Sequence, residues 1–254
     1  MVMVDSILVY LGLALVLAGL LSLIWPMRLL CIRTRSIAAM VATAGVLLVI
    51  VALLLPVSTK RIATPTTRLD DWMPAWQFDE RHSIHVDAPP EKVFAAIHTV
   101  RAKEILFFQV LTAIRRCGRP GPESILNAPD QMPLLEVATQ TTFLLLADEP
   151  PRELVIATVV AAPPNIRAPA RLTPQIFRKT LQPGVALATM NFFVRPDEHG
   201  GSIVSSETRV YANDAPGVRR FAVYWRIIHP GSDIIRRMWL RAVKLRAEGK
   251  SSLS

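Results

Sequence analysis

Two long apolar runs stand at the start of the chain, before any alternating or helical polar pattern appears. Residues 7–25 and residues 37–57 contain no Asp, Glu, Lys or Arg. At about 1.5 Å per residue, each run as a helix crosses a hydrocarbon core of about 30 Å. A cleaved signal peptide is the alternative for the first run, but Asp5 and the lack of a basic residue before Arg28 argue against it. We therefore predict a transmembrane hairpin over residues 1–57, in which Ala38 and Ala42, like Ala14 and Ala18, have the spacing that lets helices approach closely.

The side of the membrane is only weakly indicated by the basic residues. Arg28, Arg33 and Arg35 lie between the two apolar runs, and Lys60, Arg61 and Arg68 follow the second. The count across the second run is therefore tied, whereas the count across the first favours a cytoplasmic loop. We expect an integral inner or plasma membrane protein with two spans and its soluble part outside the cytoplasm. The polar, Pro- and Thr-containing residues 58–76 are interpreted as a juxtamembrane linker.

The pattern changes from strand to helix and then to strands in the soluble part. Residues 77–86 alternate so that Phe78, Glu80, His82, Ile84 and Val86 share one face of a predicted strand. Asp87, Pro89, Pro90 and Glu91 are typical of a helix start, and the spacing predicts helices after residue 90 and over residues 102–116. Residues 141–160 and 185–214 each predict an antiparallel hairpin, the first with an acidic tip and the second with its turn at 196–201.

The C-terminal part is predicted to be helical in two pieces. A helix opens at residues 214–216 and is expected to stop near Pro230, after which residues 233–248 form an amphipathic helix. The whole pattern indicates an α+β protein: a membrane hairpin, a linker, a domain over residues 77–249 with an antiparallel curved sheet around a long C-terminal helix, and a tail over 250–254.

The net positive charge of the chain favours anionic binding partners. The chain carries a formal net charge of +9, and nine Lys or Arg residues lie between residues 219 and 250. Beside a membrane anchor, this basic end favours lipid headgroups, and the absence of a nucleic-acid motif argues against nucleic acid. A solvated basic helix face explains the charge equally well. The two cysteines, Cys31 and Cys117, form no intradomain pair and give no indication of the compartment.

The order of these elements resembles the START-like helix-grip superfamily, the SRPBCC branch that includes polyketide cyclases and lipid-transport domains. The resemblance covers about residues 76–248 and rests on HSIHVDAPPEKVFAAI, on SSETRVYAND, and on RRFAVYWRIIHPGSDIIRRMWLRA. It implies an apolar cavity between the sheet and the closing helix, and it implies no particular activity. The general plan resembles bacterial, membrane-anchored members of uncharacterised function.

Candidate chemistry begins with Glu80 and His82 on one strand face. A histidine oriented by a carboxylate is suited to proton transfer near neutral pH. The alternative is that both side chains lie at the solvated start of the strand and take part in no reaction. His82 and His85 point to opposite faces of the strand, so no metal site is predicted, and no cofactor is implied. Residues that could contact a ligand, or serve as structural ion pairs and core aromatics, are Asn191, Phe193, Glu207, Arg209, Trp225 and Trp239.

Three functions remain open from the sequence. The favoured one is a membrane-tethered module that binds a lipid or another apolar small molecule between the sheet and the C-terminal helix. The alternatives are a cyclase- or hydrolase-like enzyme that uses Glu80 and His82, and a ligand-free scaffold that recruits a protein partner at the membrane. Whether the protein is an enzyme and its oligomeric state are left open.

Overall fold

The computed structural model describes residues 2–25, 34–119, 123–162, 173–179 and 183–250. The chain forms two compact units: Met1–Ser58 with Arg219–Pro230, and Thr59–Val218 with Gly231–Ser254. Two apolar N-terminal helices, a five-stranded antiparallel sheet and a long C-terminal helix confirm the predicted α+β class. The predicted tail beyond residue 250 lies outside the described residues.

The first unit contains helices α1 (Val2–Ile24) and α2 (Arg35–Leu54). Both are long and apolar enough to cross a membrane, and they begin a few residues earlier than the predicted spans. Small residues bring them together, since a Cβ on Gly45 would lie 2.7 Å from the backbone oxygen of Gly12 and one on Gly19 would lie 2.6 Å from the nitrogen of Ala42. The contact thus includes the predicted Ala42, whereas Ala14 is exposed.

The second unit is built on a sheet with the strand order β3-β7-β6-β5-β4, in which all neighbours are antiparallel. Its strands are β3 (Phe78–Val86), β4 (Leu144–Glu149), β5 (Glu153–Ala161), β6 (Ala186–Pro196) and β7 (Ser202–Ala212). The β4–β5 and β6–β7 pairs are the two hairpins predicted from the sequence.

The inner face of the sheet packs against α4 (Pro90–Thr99) and the C-terminal part of α8 (Ala215–Ala247). Ile84, Val86, Phe192 and Val204 contribute to this core from the strands, and Trp239 contributes from α8. The predicted alternation of β3 is confirmed, because Phe78, Glu80 and Val86 are buried while Arg81, Ser83 and His85 between them are exposed.

The outer face of the sheet is covered by residues that the sequence analysis assigned to a linker. Residues 59–76 contain β1 (Lys60–Arg61), α3 (Arg68–Trp72) and β2 (Ala75–Trp76), and β1 pairs with β2. Leu69, Met73 and Trp76 are buried, and α7 (Pro174–Lys179) packs in the same cluster through Phe177. Apolar side chains at about every third or fourth position explain this packing, which the surrounding Pro and Thr residues obscured.

The observed helices depart from the predicted ones at several places. The predicted helix 102–116 is divided into a 3-10 turn (Ala102–Glu104) and α5 (Phe108–Arg115), because Phe107 takes a left-handed conformation with φ of 62°. Helix α6 (Leu134–Thr141) was not predicted. The predicted break near Pro230 is wrong, since α8 runs continuously from Ala215 to Ala247 although Pro230 cannot donate a backbone hydrogen bond.

Candidate functional site

A cleft of about 450 Å³ lies beside α5 in the second unit. One wall is formed by α5 and the opposite wall by residues 126–128. The wall residues on α5 include Phe108, Val110, Thr112, Ala113 and Arg116. Its volume is within the range of about 300–1,000 Å³ that small-molecule sites occupy. The cleft is therefore large enough for part of a lipid-sized molecule.

The exposed side of α5 and its preceding turn carry a patch of large apolar side chains, of which Val110 also lines the cleft. Leu106, Phe107, Val110 and Ile114 are 51%, 54%, 60% and 66% exposed. The cleft residues Phe108 and Thr112 are buried on the other side of the helix, and the left-handed Phe107 ends the preceding turn. Four large apolar side chains that are mostly exposed on one short segment are unusual on a protein surface and are typical of an interaction site.

Arg116 supplies a charged group at the wall of the cleft. Its Nη1 donates to the backbone oxygen of Arg119 at 2.6 Å. Its Nε is buried and has no hydrogen-bond partner among the residues that the structure describes. Since a buried unpaired donor costs about 1–3 kcal/mol, this N–H is suited to a polar or anionic group of a bound molecule.

A second cluster of polar side chains lies on the inner face of the sheet. His82 Nε2 is 3.0 Å from Glu80 Oε1 and 3.3 Å from Asp233 Oδ1. Ser232 Oγ donates to Glu80 Oε2 at 2.8 Å. The cluster joins β3 to α8, and both Glu80 and His82 are largely buried. The two side chains thus lie largely buried rather than at a solvated strand end, and the shared face that the sequence suggested brings them within 3.0 Å of each other.

The surroundings of this cluster combine positive charge with unpaired hydroxyl groups. Arg237 donates to Asp233 Oδ2 at 2.8 Å, and the Arg236 guanidinium lies 5.7 Å from the centre of the Trp239 ring. Burial lowers the pKa of Arg236 from its ordinary value, and the negative charge of Glu80 opposes that shift. Ser206 and Thr208 on β7, opposite His82 and Glu80, have buried hydroxyls with no partner in the described part of the chain.

Several predicted ligand contacts lie instead on the outer face of the sheet. Arg209 is buried, donates to Asp70 at 2.7 Å and to Glu207 at 2.6 Å, and lies over the Trp76 ring at 4.0 Å. Asn191 donates to Glu153 at 2.7 Å and accepts from the Glu207 N–H. These groups bind one another and the residues of α3, which is the structural alternative that the sequence left open.

The hydrogen bonds around Asp70 explain why this network tolerates burial. Burial by itself raises the pKa of the Asp70 carboxyl, but hydrogen bonds from Thr66, Arg209 and Thr67 outweigh it, and the pKa is lowered. Glu153 in turn accepts the backbone N–H groups of Arg68 and Leu69 at the start of α3. The network fixes α3 to the sheet.

The remaining predicted residues are distributed over both units. Trp239 lies in the inner core with its ring 5.0 Å from Phe192, and Phe193 lies on the outer face below Arg152. Trp225 belongs to the first unit, where it stacks on Phe221 at 5.7 Å. Of the basic residues assigned to the membrane surface, Arg35 starts α2, Lys60 pairs with Asp79, and Arg61 is exposed. Arg28 and Arg33 lie outside the described residues.

Sequence reasoning missed two parts of this chemistry. Asp233 and Ser232 lie about 150 residues from Glu80 in the chain, so no local spacing connects them. No metal site was predicted, and only the fold brings Glu80, His82 and Asp233 together as potential ligands. The exposed apolar side of α5 could have been found in the sequence. This segment has more apolar residues than one buried stripe of a helix can hold, and the extra ones are Leu106, Phe107, Val110 and Ile114.

Comparisons with known proteins find a general likeness to solved structures. No family model and no curated protein matches the chain. Protein MLL2253 from Mesorhizobium loti is 14% identical over 65% of this chain and 98% of its own, with a TM-score of 0.30. The di-domain ARO/CYC protein BexL of the BE-7585A biosynthetic pathway is 16% identical over 84% of this chain, with a TM-score of 0.31, and the match spans 56% of BexL. TTHA0849 from Thermus thermophilus is 11% identical over 65% of this chain and 97% of its own, with a TM-score of 0.24. TM-scores this low assign neither a fold family nor a function.

Proposed function

We propose that the protein is a membrane-anchored module that binds an amphiphile, an apolar molecule with a polar or anionic end, in the cleft beside α5. The observation that carries the proposal is the cleft itself, which lies next to the exposed apolar side of α5 and is lined by Arg116, whose buried Nε has no partner in the described part of the chain. Two helices able to cross a membrane keep such a module next to a source of amphiphiles. Apolar contact would hold the chain of the molecule, and Arg116 would hold its polar end.

This position differs from the one expected between the sheet and the C-terminal helix. Phe192, Trp239, Leu240 and Val243 lie together in the core between these elements. A ligand at that place would have to displace packed aromatic side chains, which costs several kcal/mol. The open cleft beside α5 requires no such displacement.

The test is to fill the cleft and to analyse what is bound. Full-length protein and the variants Ala113→Phe and Ala95→Phe are purified in the same mild detergent, and extracted lipids are identified by mass spectrometry. Ala113 lines the cleft, whereas Ala95 is exposed on α4 and serves as the matched control. We expect one amphiphile to be enriched in the wild type and in Ala95→Phe, and lost in Ala113→Phe. Equal lipid profiles in all three samples would reject the proposal and favour a scaffold for a protein partner.

The polar end of the ligand is tested separately through Arg116. Arg116→Gln removes the charge that we assign to the headgroup, and the loss of a charged hydrogen bond should lower the bound amount of an anionic amphiphile roughly tenfold or more. Arg115→Gln changes the neighbouring arginine, which does not line the cleft, and should leave the bound amount unchanged.

The 3.0 Å contact between Glu80 and His82 favours a second candidate function, general acid–base catalysis. His82 would transfer the proton and Glu80 would orient the ring. On a substrate panel of thioesters and cyclisable polyketide mimics, Glu80→Gln and His82→Asn should each remove any turnover that the wild type shows. Turnover that survives both substitutions would eliminate this candidate.

A further inference from the structure

Glu80, His82 and Asp233 form a cluster separate from the cleft beside α5. One ligand atom from each residue lies within 4.8 Å of those of the other two. Glu80 and His82 are fixed two positions apart on β3, and Asp233 reaches them from α8. Residues from two elements therefore converge on one point of the inner face.

The spacing of these atoms fits a bound metal ion as well as a hydrogen bond. The His82 Nε2 lies 3.0 Å from one carboxylate oxygen and 3.3 Å from the other. Ligand atoms about 2.0–2.2 Å from a common ion are themselves about 3.0–3.6 Å apart, and both distances from Nε2 fall in that range. A single proton on Nε2 makes only one well-aligned hydrogen bond, so one of the two close carboxylates gains little from the ring. A cation bound to all three atoms satisfies both carboxylates together.

Neighbouring groups orient the three ligand atoms and leave room for water as a further ligand. Ser232 donates to the second oxygen of Glu80, and Arg237 donates to Asp233, as the hydrogen-bond partners of metal ligands commonly do. On β7, Ser206 and Thr208 face the same side as His82 and Glu80, and among the described residues their buried hydroxyls have no partner. Water on the open positions of an ion would give these hydroxyls a partner.

We infer that Glu80, His82 and Asp233 bind a divalent transition-metal ion, with Zn²⁺ as its probe. The mixture of one imidazole nitrogen and two carboxylate oxygens is typical of Zn²⁺, Mn²⁺ or Fe²⁺, whereas Mg²⁺ and Ca²⁺ prefer oxygen ligands alone. Three protein ligands leave positions open for water or a substrate. The inference does not depend on the amphiphile, which is assigned to another part of the domain.

The charges around the cluster set the expected strength of binding. Glu80 and Asp233 supply two negative charges, and the facing cations are Arg236 and Arg237 on α8. Arg237 is mostly exposed and already paired with Asp233, so Arg236 is the main source of repulsion. Removing that charge should strengthen the binding of a cation and weaken the binding of an anion.

The experiment is a calorimetric titration of full-length protein in mild detergent with ZnCl₂, after treatment with a chelator. We expect one saturable site, lost or weakened about 100-fold or more in His82→Ala and in Asp233→Asn, and strengthened several-fold in Arg236→Gln. His85→Ala is the matched control, because His85 lies on the opposite face of β3 and also has carboxylates, Asp87 and Asp197, within 3.4 Å and 3.1 Å. Circular dichroism checks that each variant folds, and Asp233→Asn keeps the test decisive where His82→Ala does not fold.

Two results would overturn the inference. One is a wild-type protein that shows no saturable binding of Zn²⁺ or Mn²⁺. The other is an affinity that falls equally in His82→Ala and His85→Ala, which indicates adsorption to surface histidines. Either result leaves the lipid analysis of the cleft unaffected, so the failure of one proposal is distinguished from the failure of the other.

Discussion

Arg209 shows how single side chains hold α3 to the sheet. It is buried and bonded to Asp70 and Glu207, so its removal would leave Asp70 buried without its cation. We predict that Arg209→Met lowers the free energy of unfolding by about 3–5 kcal/mol. Urea unfolding of the full-length protein in mild detergent measures this change.

The matched control is Arg81→Met on the neighbouring strand. Arg81 lies 3.9 Å from the same Glu207, but its side chain is 69% exposed. Exposed pairs contribute about 0–1 kcal/mol, so this variant should unfold close to the wild type. Equal losses in the two variants would show that the buried network is not what fixes α3.

We predict that the free energy of unfolding depends on pH through the carboxyl group of Glu248. Burial of its carboxyl works towards a higher pKa, but bonds from Lys250, the Asp87 N–H and Lys244 outweigh it and lower the pKa of Glu248 to about 2. The usual value in an unfolded chain is about 4.3, so the folded state holds the proton less tightly. The stabilisation is thus complete above about pH 4.3 and is lost as the pH falls towards 2.

Glu248→Gln should therefore be less stable than the wild type at pH 6, and the difference should shrink as the pH falls from about 5 to about 3. Chemical unfolding at a series of pH values measures it. Glu198→Gln, in the exposed turn between β6 and β7, should show no such dependence. A constant difference for Glu248→Gln across the series would contradict the assignment.

Single residues also mark the limit of sequence reasoning. The two-residue period of β3 places Glu80 and His82 together without any structure, because alternation alone fixes a shared face. Asp233 could not be found in this way, since its approach depends on how α8 crosses the sheet. The role of Arg209 was ambiguous in the sequence, because an Arg and a Glu on one strand face are compatible with a ligand contact and with a structural ion pair.

At the scale of elements, the close contact between α1 and α2 depends on glycines, which have no side chain. A Cβ on Gly45 would lie 2.7 Å from backbone atoms of Gly12 and Val16, where no rotamer change relieves the clash. We predict that Gly45→Leu separates the two helices and lowers the temperature at which the detergent-solubilised protein aggregates, by several degrees. Light scattering during heating measures this temperature.

Ala44→Leu adds similar volume at an exposed position of the same helix and should leave the aggregation temperature unchanged. If both variants behave alike, packing through Gly45 does not hold the hairpin. Close contact of this kind is expected in membranes, where small residues allow the van der Waals packing that replaces the hydrophobic effect.

Elements with a strong period were predicted well, and those defined by tertiary contacts were not. The two hairpins carried alternating patterns bounded by turn residues, and both formed. Pro230 predicted a break that α8 does not have, because the local preference of a proline is not the only term that decides where a helix of 33 residues ends. Residues 59–76 looked like a linker because Thr, Pro and Arg precede Leu69, and Asp and Pro residues interrupt the stretch from Leu69 to Trp76.

At the scale of the whole molecule, we predict the side of the membrane from the charges around α1. Arg28, Arg33 and Arg35 follow it in the sequence, whereas Asp5 is the only charged side chain near its start. Basic loops remain in the cytoplasm, so both ends of the chain should lie on the other side. Cys117 in the second unit is exposed and free, and it reports on this directly.

A membrane-impermeant maleimide should therefore label Cys117 of a Cys31→Ser variant in right-side-out vesicles, and in inverted vesicles only after lysis. The Cys117→Ser variant keeps Cys31, which lies between the spans in the sequence, and should show the opposite pattern. The two variants control for vesicle integrity, since their patterns must be complementary. Labelling of Cys117 in inverted vesicles without lysis would show that the topology is the opposite one. The cleft beside α5 and the Glu80 cluster would then lie in the cytoplasm, where amphiphiles and metal ions come from different sources.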